Sequence, residues 1–231
     1  MRTEVAPDAG WVSGLVGVSE ARAERALAEG RAEKLLFRRL DQMHRGEGRS
    51  SYIEIDAPLE LYALVRLLRP RHVVEVGVSS GVSSAYFLRG LEQNGRGTLH
   101  SVDLPKAETR PSRSRRNPSW SLPPGRSSGW AVPFGLRKRW DLRLGEKKEV
   151  LPLLAEELTE IDLFLYDVPH SDPGAYREFL SIDQRFHAGS VALVDHGGTQ
   201  EICPSLRRWA RRRGGSAVRR RELGLSGFRC P

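Results

Sequence analysis

The chain has 231 residues, with 37 lysines and arginines against 29 aspartates and glutamates, a formal net charge of +8 and a pI near 10.0. A hydrophobic fraction of 39% supports the core of one large domain, and two cysteines are too few for a disulfide framework. No stretch reaches the roughly 18 consecutive apolar residues of a membrane span, and the first residues lack the apolar block of a signal peptide. We therefore expect a soluble, cytoplasmic protein with reduced thiols and no membrane partner.

The basic residues are unevenly distributed and gather at 110–116, 137–139 and 207–221. A basic surplus suits an anionic partner, so nucleic acid stays open as an alternative ligand. Nearly all of the surplus is arginine, and we favour solvated or structural roles for these residues over a nucleic-acid surface.

The first 57 residues are predicted to form a helical extension ahead of a main domain at 58–231. Residues 19–44 are rich in Ala, Glu, Arg and Leu, with Ser19 as an N-cap, and predict one or two helices broken near Gly30. A further helix at 58–68 starts with Pro58 in its first turn. The N-terminal helices offer a surface for homo-oligomer formation.

Beyond residue 70 the pattern alternates between short apolar runs and helical periods. Strands are predicted at 73–76, 98–102, 140–144, 161–166 and 191–194, and helices at 83–91, 150–158, 175–186 and 205–213. Two short strands around 224–227 predict a closing hairpin. The alternation requires a mostly parallel, doubly wound Rossmann-like α/β sheet, interrupted by a long insertion at 105–135.

The first strand leads into the stretch "VVEVGVSSG", which has the pattern E-x-G-x-x-x-G. Glycines between a strand and a helix let the backbone approach a ligand, but the spacing differs from the G-x-G-x-x-G of dinucleotide sites. Asp103, Asp167 and Asp195 each end a predicted strand, at the edge where ligands of such sheets bind. The sequence therefore predicts a ligand site at this edge, and the glycine spacing removes the main support for an NAD site.

With "WDLRLGE", "IDLFLYDVPHSDPGAYREF" and "GSVALVDHGG" following in order, the chain resembles class I methyltransferases that use S-adenosylmethionine (SAM). The resemblance covers about 58–228 and is strongest to small-molecule O-methyltransferases of the antibiotic-tailoring group, of macrolide-sugar and cephalosporin type. It implies a seven-stranded sheet whose last strand is antiparallel. It also implies a SAM site with Asp103 on the ribose hydroxyls. The implied SAM-site residues are Glu75, Gly77, Ser79, Gly81, Asp103, Gly145 and Glu146. For Glu75 the alternative is a buried acid that fixes the turn.

The resemblance further implies catalytic groups after the fourth and fifth strands. In D-x-x-H, Asp167 precedes His170, the expected general base. Asp167, Asp195 and His196 would hold Mg²⁺ or another divalent metal, although His196 stands where the family has Asp or Asn and imidazole suits softer metals better. The alternatives are helix caps for the two aspartates and an ordinary loop histidine for His170.

The function expected from the resemblance is SAM-dependent O-methylation of a small hydroxylated molecule. An RNA methyltransferase is the alternative that the basic segments suggest, although "DVPH" replaces the N-P-P-Y type of loop. A non-catalytic SAM-fold binding protein is the third hypothesis. Trp120, Trp130 and Phe134 in the insertion are predicted either to cover the acceptor or to anchor the loop to the core.

Overall fold

The computed structural model of this chain describes the first two helices and most of the sequence after residue 57. The described residues are 6–33, 37, 40, 58–104, 122, 125–168, 172–195, 201–220 and 223–231. Much of the predicted helical segment 34–44 and of the predicted insertion 105–135 lies outside them.

Seven α-helices and seven β-strands lie within the described residues. The helices are α1 (Ala9–Val16), α2 (Glu20–Ala32), α3 (Pro58–Leu68), α4 (Val82–Asn94), α5 (Lys147–Glu157), α6 (Asp172–Ile182) and α7 (Pro204–Arg212). The strands are β1 (His72–Val76), β2 (Thr98–Asp103), β3 (Trp140–Leu144), β4 (Ile161–Tyr166), β5 (Phe186–Asp195), β6 (Val218–Arg219) and β7 (Leu225–Arg229). Two 3₁₀ helices, Phe134–Arg139 and Asp183–Arg185, precede β3 and β5.

The strands form one sheet in the order β3-β2-β1-β4-β5-β7-β6. The pairs from β3 to β5 are parallel, and β7 is antiparallel to both β5 and β6. This confirms the predicted seven-stranded sheet with its last strand antiparallel. Because the strand order reverses between β1 and β4, the crevice for a ligand is expected beyond the carboxyl ends of these two strands.

Helices cover both faces of the sheet, and the strand residues alternate between the two layers. Val73, Leu163 and Leu193 contribute to the core under α1–α4, whereas Val74 and Phe164 contribute to the core under α5–α7. A period of two along each buried strand supplies both faces, as a doubly wound sheet requires.

The N-terminal helices pack on this main domain. α2 runs through Gly30 and ends at Ala32, so the break predicted near Gly30 follows slightly later. Gly30 itself serves the packing: a Cβ there would lie 2.9 Å from Cδ1 of Tyr62, so the glycine permits close packing of α2 on α3. α1, which the sequence did not predict, lies against β7, where a Cβ on Gly227 would lie 3.2 Å from Leu15.

Two other boundaries differ from the predictions. The helix expected to run to 186 ends at Ile182, because Phe186 opens β5 and packs edge-on against Phe164 and Trp209. The closing hairpin is confirmed, but β7 begins at Leu225, so Gly227 pairs within the strand.

A buried ion pair ties the closing hairpin to α3. Arg220 Nε lies 3.0 Å from Glu60 Oε1, and the two side chains are 4% and 3% exposed. Asp8 lies 3.6 Å from the same guanidinium, so the start of α1 joins the pair. Removing one member would leave a buried charge with less compensation.

We therefore expect Glu60→Ala to lower the free energy of unfolding by about 3–5 kcal/mol, as for other broken buried pairs. The matched control is Glu24→Ala, which removes an ion pair to Arg31 between side chains that are 53% and 39% exposed. That change should cost less than about 1 kcal/mol. Urea unfolding of both variants measures the difference, and equal losses would contradict a special role for the Arg220–Glu60 pair.

Candidate active site

The buried carboxylate of Glu75 fixes the turn that follows β1. Glu75 is fully buried, and its two oxygens accept hydrogen bonds from three serine hydroxyls. Ser83 and Ser84 of α4 donate over 2.6 and 2.7 Å, and Ser101 of β2 donates over 2.7 Å. Trp140 Nε1 in turn donates to Ser101 Oγ over 2.9 Å. One carboxylate thus joins β1, β2, β3 and the first turn of α4.

The burial of Glu75 changes its acid–base chemistry. Desolvation raises the pKa of this carboxyl to about 7, against the lowering effect of the three serine hydrogen bonds and with a smaller increase from Asp103. The neutral and ionised forms are therefore both accessible near neutral pH. The described contacts are those of a buried acid that fixes the turn, and a SAM-binding role for Glu75 remains a prediction.

The 77–81 loop, which joins β1 to α4, requires glycine for close backbone packing. Gly77 has a φ of +93°, and a Cβ there would lie 1.9 Å from the carbonyl oxygen of Asp167. Asp167 N also donates to Val76 O over 2.8 Å. Two of the predicted site residues, from the loop after β1 and from the end of β4, therefore meet at the strand-order reversal.

Asp103 lies on the other side of the same loop. Ser79, a non-glycine residue with a φ of +49°, donates its backbone N–H to Asp103 Oδ2 over 3.3 Å. Gly145 N donates to the carbonyl oxygen of Asp103 over 2.9 Å, and the exposed Glu146 follows as the N-cap residue of α5. The structure thus brings the predicted SAM-site residues of β1, β2 and β3 to one edge of the sheet.

Sequence reasoning singled out Trp130 but missed the backbone contacts of its segment, 128–132, which flanks this loop. Gly129 N donates to Ser79 O over 2.8 Å and Ala131 N donates to Ser80 O over 3.0 Å. Gly81, with a φ of +93°, leaves room for Val132, whose Cγ2 would lie 2.5 Å from a Cβ at this position. These contacts come mainly from backbone groups, so no side-chain motif in the sequence could predict them.

The aromatic residues of the insertion behave differently from one another. Trp130 is partly buried beside Ala85 and Ala131, and the guanidinium of Arg126 lies 4.8 Å from its ring. Phe134 is 89% exposed. Trp130 thus anchors its segment to α4, whereas Trp120 lies outside the described residues.

The predicted catalytic and metal residues are described only in part. Asp167 and Asp195 directly follow Tyr166 and Val194, which are register partners, so the two acids leave adjacent parallel strands at the same level. Asp195 is 8% exposed. His170 and His196 lie outside the described residues. Among the residues that are described, no three His, Cys, Asp or Glu side chains form a metal-ion cluster.

No described helix is both long and apolar enough to cross a membrane. Cys203 and Cys230 are buried and form no disulfide.

Comparison with known proteins assigns this arrangement to a family. The family model described as a methyltransferase domain matches residues 74–196, just over half of the chain, and this range contains the predicted site residues from Glu75 to His196. A comparison with curated protein sequences gave no match.

Solved structures share the whole architecture. A methyltransferase from Geobacter sulfurreducens aligns with a TM-score of 0.55 at 18% identity, over 85% of this chain and 88% of that one. The O-methyltransferase TomG from Streptomyces achromogenes, involved in tomaymycin synthesis and solved with SAM, aligns at 0.53 and 17% identity over 90% and 98%. An O-methyltransferase from Bacillus cereus, solved with S-adenosylhomocysteine, aligns at 0.51 and 16% identity over 95% of each chain. At these identities the likeness establishes the fold.

The elevated pKa of Glu75 predicts a pH dependence of stability. Its folded-state pKa of about 7 exceeds the ordinary 4.5, so between these pH values the folded state binds more protons than the unfolded chain. The stabilisation present below about pH 4.5 is therefore lost as pH rises towards 7, by about 3 kcal/mol in total. Glutamine at position 75 cannot titrate. The unfolding free energy of Glu75→Gln should therefore rise relative to that of the wild type between pH 4.5 and about 7.

Urea unfolding at several pH values measures this difference. The exposed Glu156 provides the control, and Glu156→Gln should run parallel to the wild type because water surrounds this carboxylate in both states. Parallel curves for Glu75→Gln and the wild type would contradict the prediction.

Proposed function

The chain belongs to the methyltransferase-domain family, and we propose that it transfers a methyl group from SAM to a hydroxyl oxygen of a small molecule. The observation that carries this proposal is the convergence of the 77–81 loop, Asp103 and Asp167 at the reversal of the strand order. The names of the structural neighbours, O-methyltransferases with SAM or its product bound, support it.

The residues present fit a SAM site. Gly77 and Gly81 let the 77–81 loop pack closely against Asp167 and Gly129, and the N-terminus of α4 beyond it has no side-chain cap. Asp103 places a carboxylate beside this loop, where it would accept hydrogen bonds from ribose hydroxyls. Gly145 and Glu146 follow β3 at the same edge and would border the adenine.

When bound, SAM supplies an electrophilic methyl group on a sulfonium. For methyl transfer to oxygen, the protein must align the acceptor in line with the carbon–sulfur bond and remove the hydroxyl proton. In our proposal His170 takes that proton as the new carbon–oxygen bond forms and the carbon–sulfur bond breaks. Asp167, three residues earlier in the chain, directly follows β4.

A divalent metal belongs to the proposal as a further element. Asp167 and Asp195 leave adjacent strands at one level, and carboxylate oxygens are ligands that Mg²⁺ accepts. His196 would be the third ligand, and its imidazole would favour manganese, iron or zinc over magnesium. Such a metal would hold the acceptor oxygen and lower the pKa of its hydroxyl.

RNA methylation is the second candidate, and one observation favours it. α7 buries Leu206, Trp209 and Ala210 and exposes four arginines on its outer face: Arg207, Arg208, Arg211 and Arg212. RNA affinity that falls steeply with salt would support this candidate, since phosphate contacts release counterions. Weak binding that is insensitive to salt would remove it.

The cofactor site is tested by calorimetric titration with SAM and S-adenosylhomocysteine, with and without Mg²⁺ or Mn²⁺. We expect micromolar binding by the wild type and at least thirtyfold weaker binding by Asp103→Ala, a loss of about 2 kcal/mol for charge-assisted hydrogen bonds. Asp103→Asn keeps one acceptor oxygen and should lie between the two. Equal affinity in all three proteins would exclude Asp103 from the site.

The base is tested separately, because its removal should leave cofactor binding unchanged. We expect His170→Ala to lower methyl transfer by about 10²–10⁴-fold, the usual contribution of a general base, with the Kd for SAM within about twofold of the wild type. Single-turnover transfer of labelled methyl to hydroxylated acceptors measures this effect. Retained turnover would remove His170 from the mechanism.

A further inference from the structure

The end of the β2–β3 connection is built onto the 77–81 loop. Two backbone amides of segment 128–132, those of Gly129 and Ala131, donate to the carbonyl oxygens of Ser79 and Ser80 over 2.8 and 3.0 Å. Ala131 is fully buried and Val132 is 2% exposed. The segment therefore forms one wall of the loop, in direct contact with it.

Arg137 holds this segment in place. Its Nε donates to Val132 O over 3.1 Å, and its Nη2 donates to Gly129 O over 3.2 Å. The guanidinium also lies 5.6 Å from the ring of Trp140. A planar fork that joins two carbonyls fixes their relative position, which a single donor would not do.

The loop needs such support at Ser79. Its φ of +49° is in the left-handed region, which is unfavourable for a non-glycine residue and persists where neighbours enforce it. The neighbours of Ser79 are Asp103, which accepts from its N–H, and Gly129, which donates to its carbonyl. Gly129 is in turn held by Arg137.

We propose that Arg137 is a positioning residue for the cofactor: by clamping Gly129 and Val132 it keeps segment 128–132 against Ser79 and Ser80 and holds the loop in its binding conformation. This inference rests on the proposed SAM site. Arg137 itself does not contact the reacting atoms in this scheme. Its effect reaches the cofactor through the two backbone hydrogen bonds from segment 128–132 to Ser79 and Ser80.

The test compares Arg137→Ala, Arg137→Lys and Arg139→Ala. Arg139 is the matched control, because it belongs to the same 3₁₀ helix but donates to Gly97 O, over 3.3 Å, away from segment 128–132. We expect SAM to bind Arg137→Ala about tenfold more weakly, which corresponds to about 1.4 kcal/mol. Lysine reaches only one carbonyl and should restore part of the affinity, and Arg139→Ala should stay within about twofold of the wild type.

Hydrogen exchange provides a second measurement that does not require SAM. The amides of Gly129 and Ala131 should exchange faster in Arg137→Ala, whereas those of β1 should not change, as local loosening requires. Wild-type affinity in Arg137→Ala, or equal losses in Arg137→Ala and Arg139→Ala, would overturn the inference. Absence of SAM binding by the wild type would instead refute the proposed function, and the exchange data would still report whether Arg137 holds the wall.

Discussion

The buried carboxylate of Glu75 is the interaction on which the architecture of the site depends. Removing an acid from water is costly, and three serine hydroxyls offset the cost only when β1, β2 and α4 are all in place. The same contacts fix the direction in which the chain leaves β1. The turn that presents Gly77 and Ser79 to the crevice is therefore defined by a group that lies beneath it.

Much of the fold could be predicted from local signals. β3 and β4 have the predicted bounds because β3 alternates apolar and polar residues and β4 is a largely apolar run, and the parallel sheet follows from the alternation of strands and helices. The errors arose where a distant residue decided the outcome. Gly30 lies inside α2, where its lack of a side chain lets Tyr62 approach closely, and Phe186 opens β5, where it packs edge-on against Phe164 and Trp209. Neither partner is visible in a sequence window.

The candidate site was predicted to a similar extent, and for the same reasons. Spacing identified the 77–81 loop and Asp103, since glycines and strand-end acids have a direct chemical meaning at those positions. The wall formed by 128–132 was not predicted, because its contacts to Ser79 and Ser80 are made by backbone amides that every residue type possesses. The serine partners of Glu75 were visible as residues, but only the fold shows that they share one carboxylate.

The connection between β2 and β3 gives the chain a place where its length can change at little cost. β2 pairs with β3 in a fixed register, so this connection closes a loop whose ends are already set by the sheet. The entropy of closure grows only with the logarithm of loop length, by about 0.6 kcal/mol for each doubling. Because segment 128–132 and Arg137 hold the last part against the site, residues inserted further upstream would leave the loop after β1 undisturbed. Evolution or engineering could therefore lengthen or shorten this connection without rebuilding the candidate site.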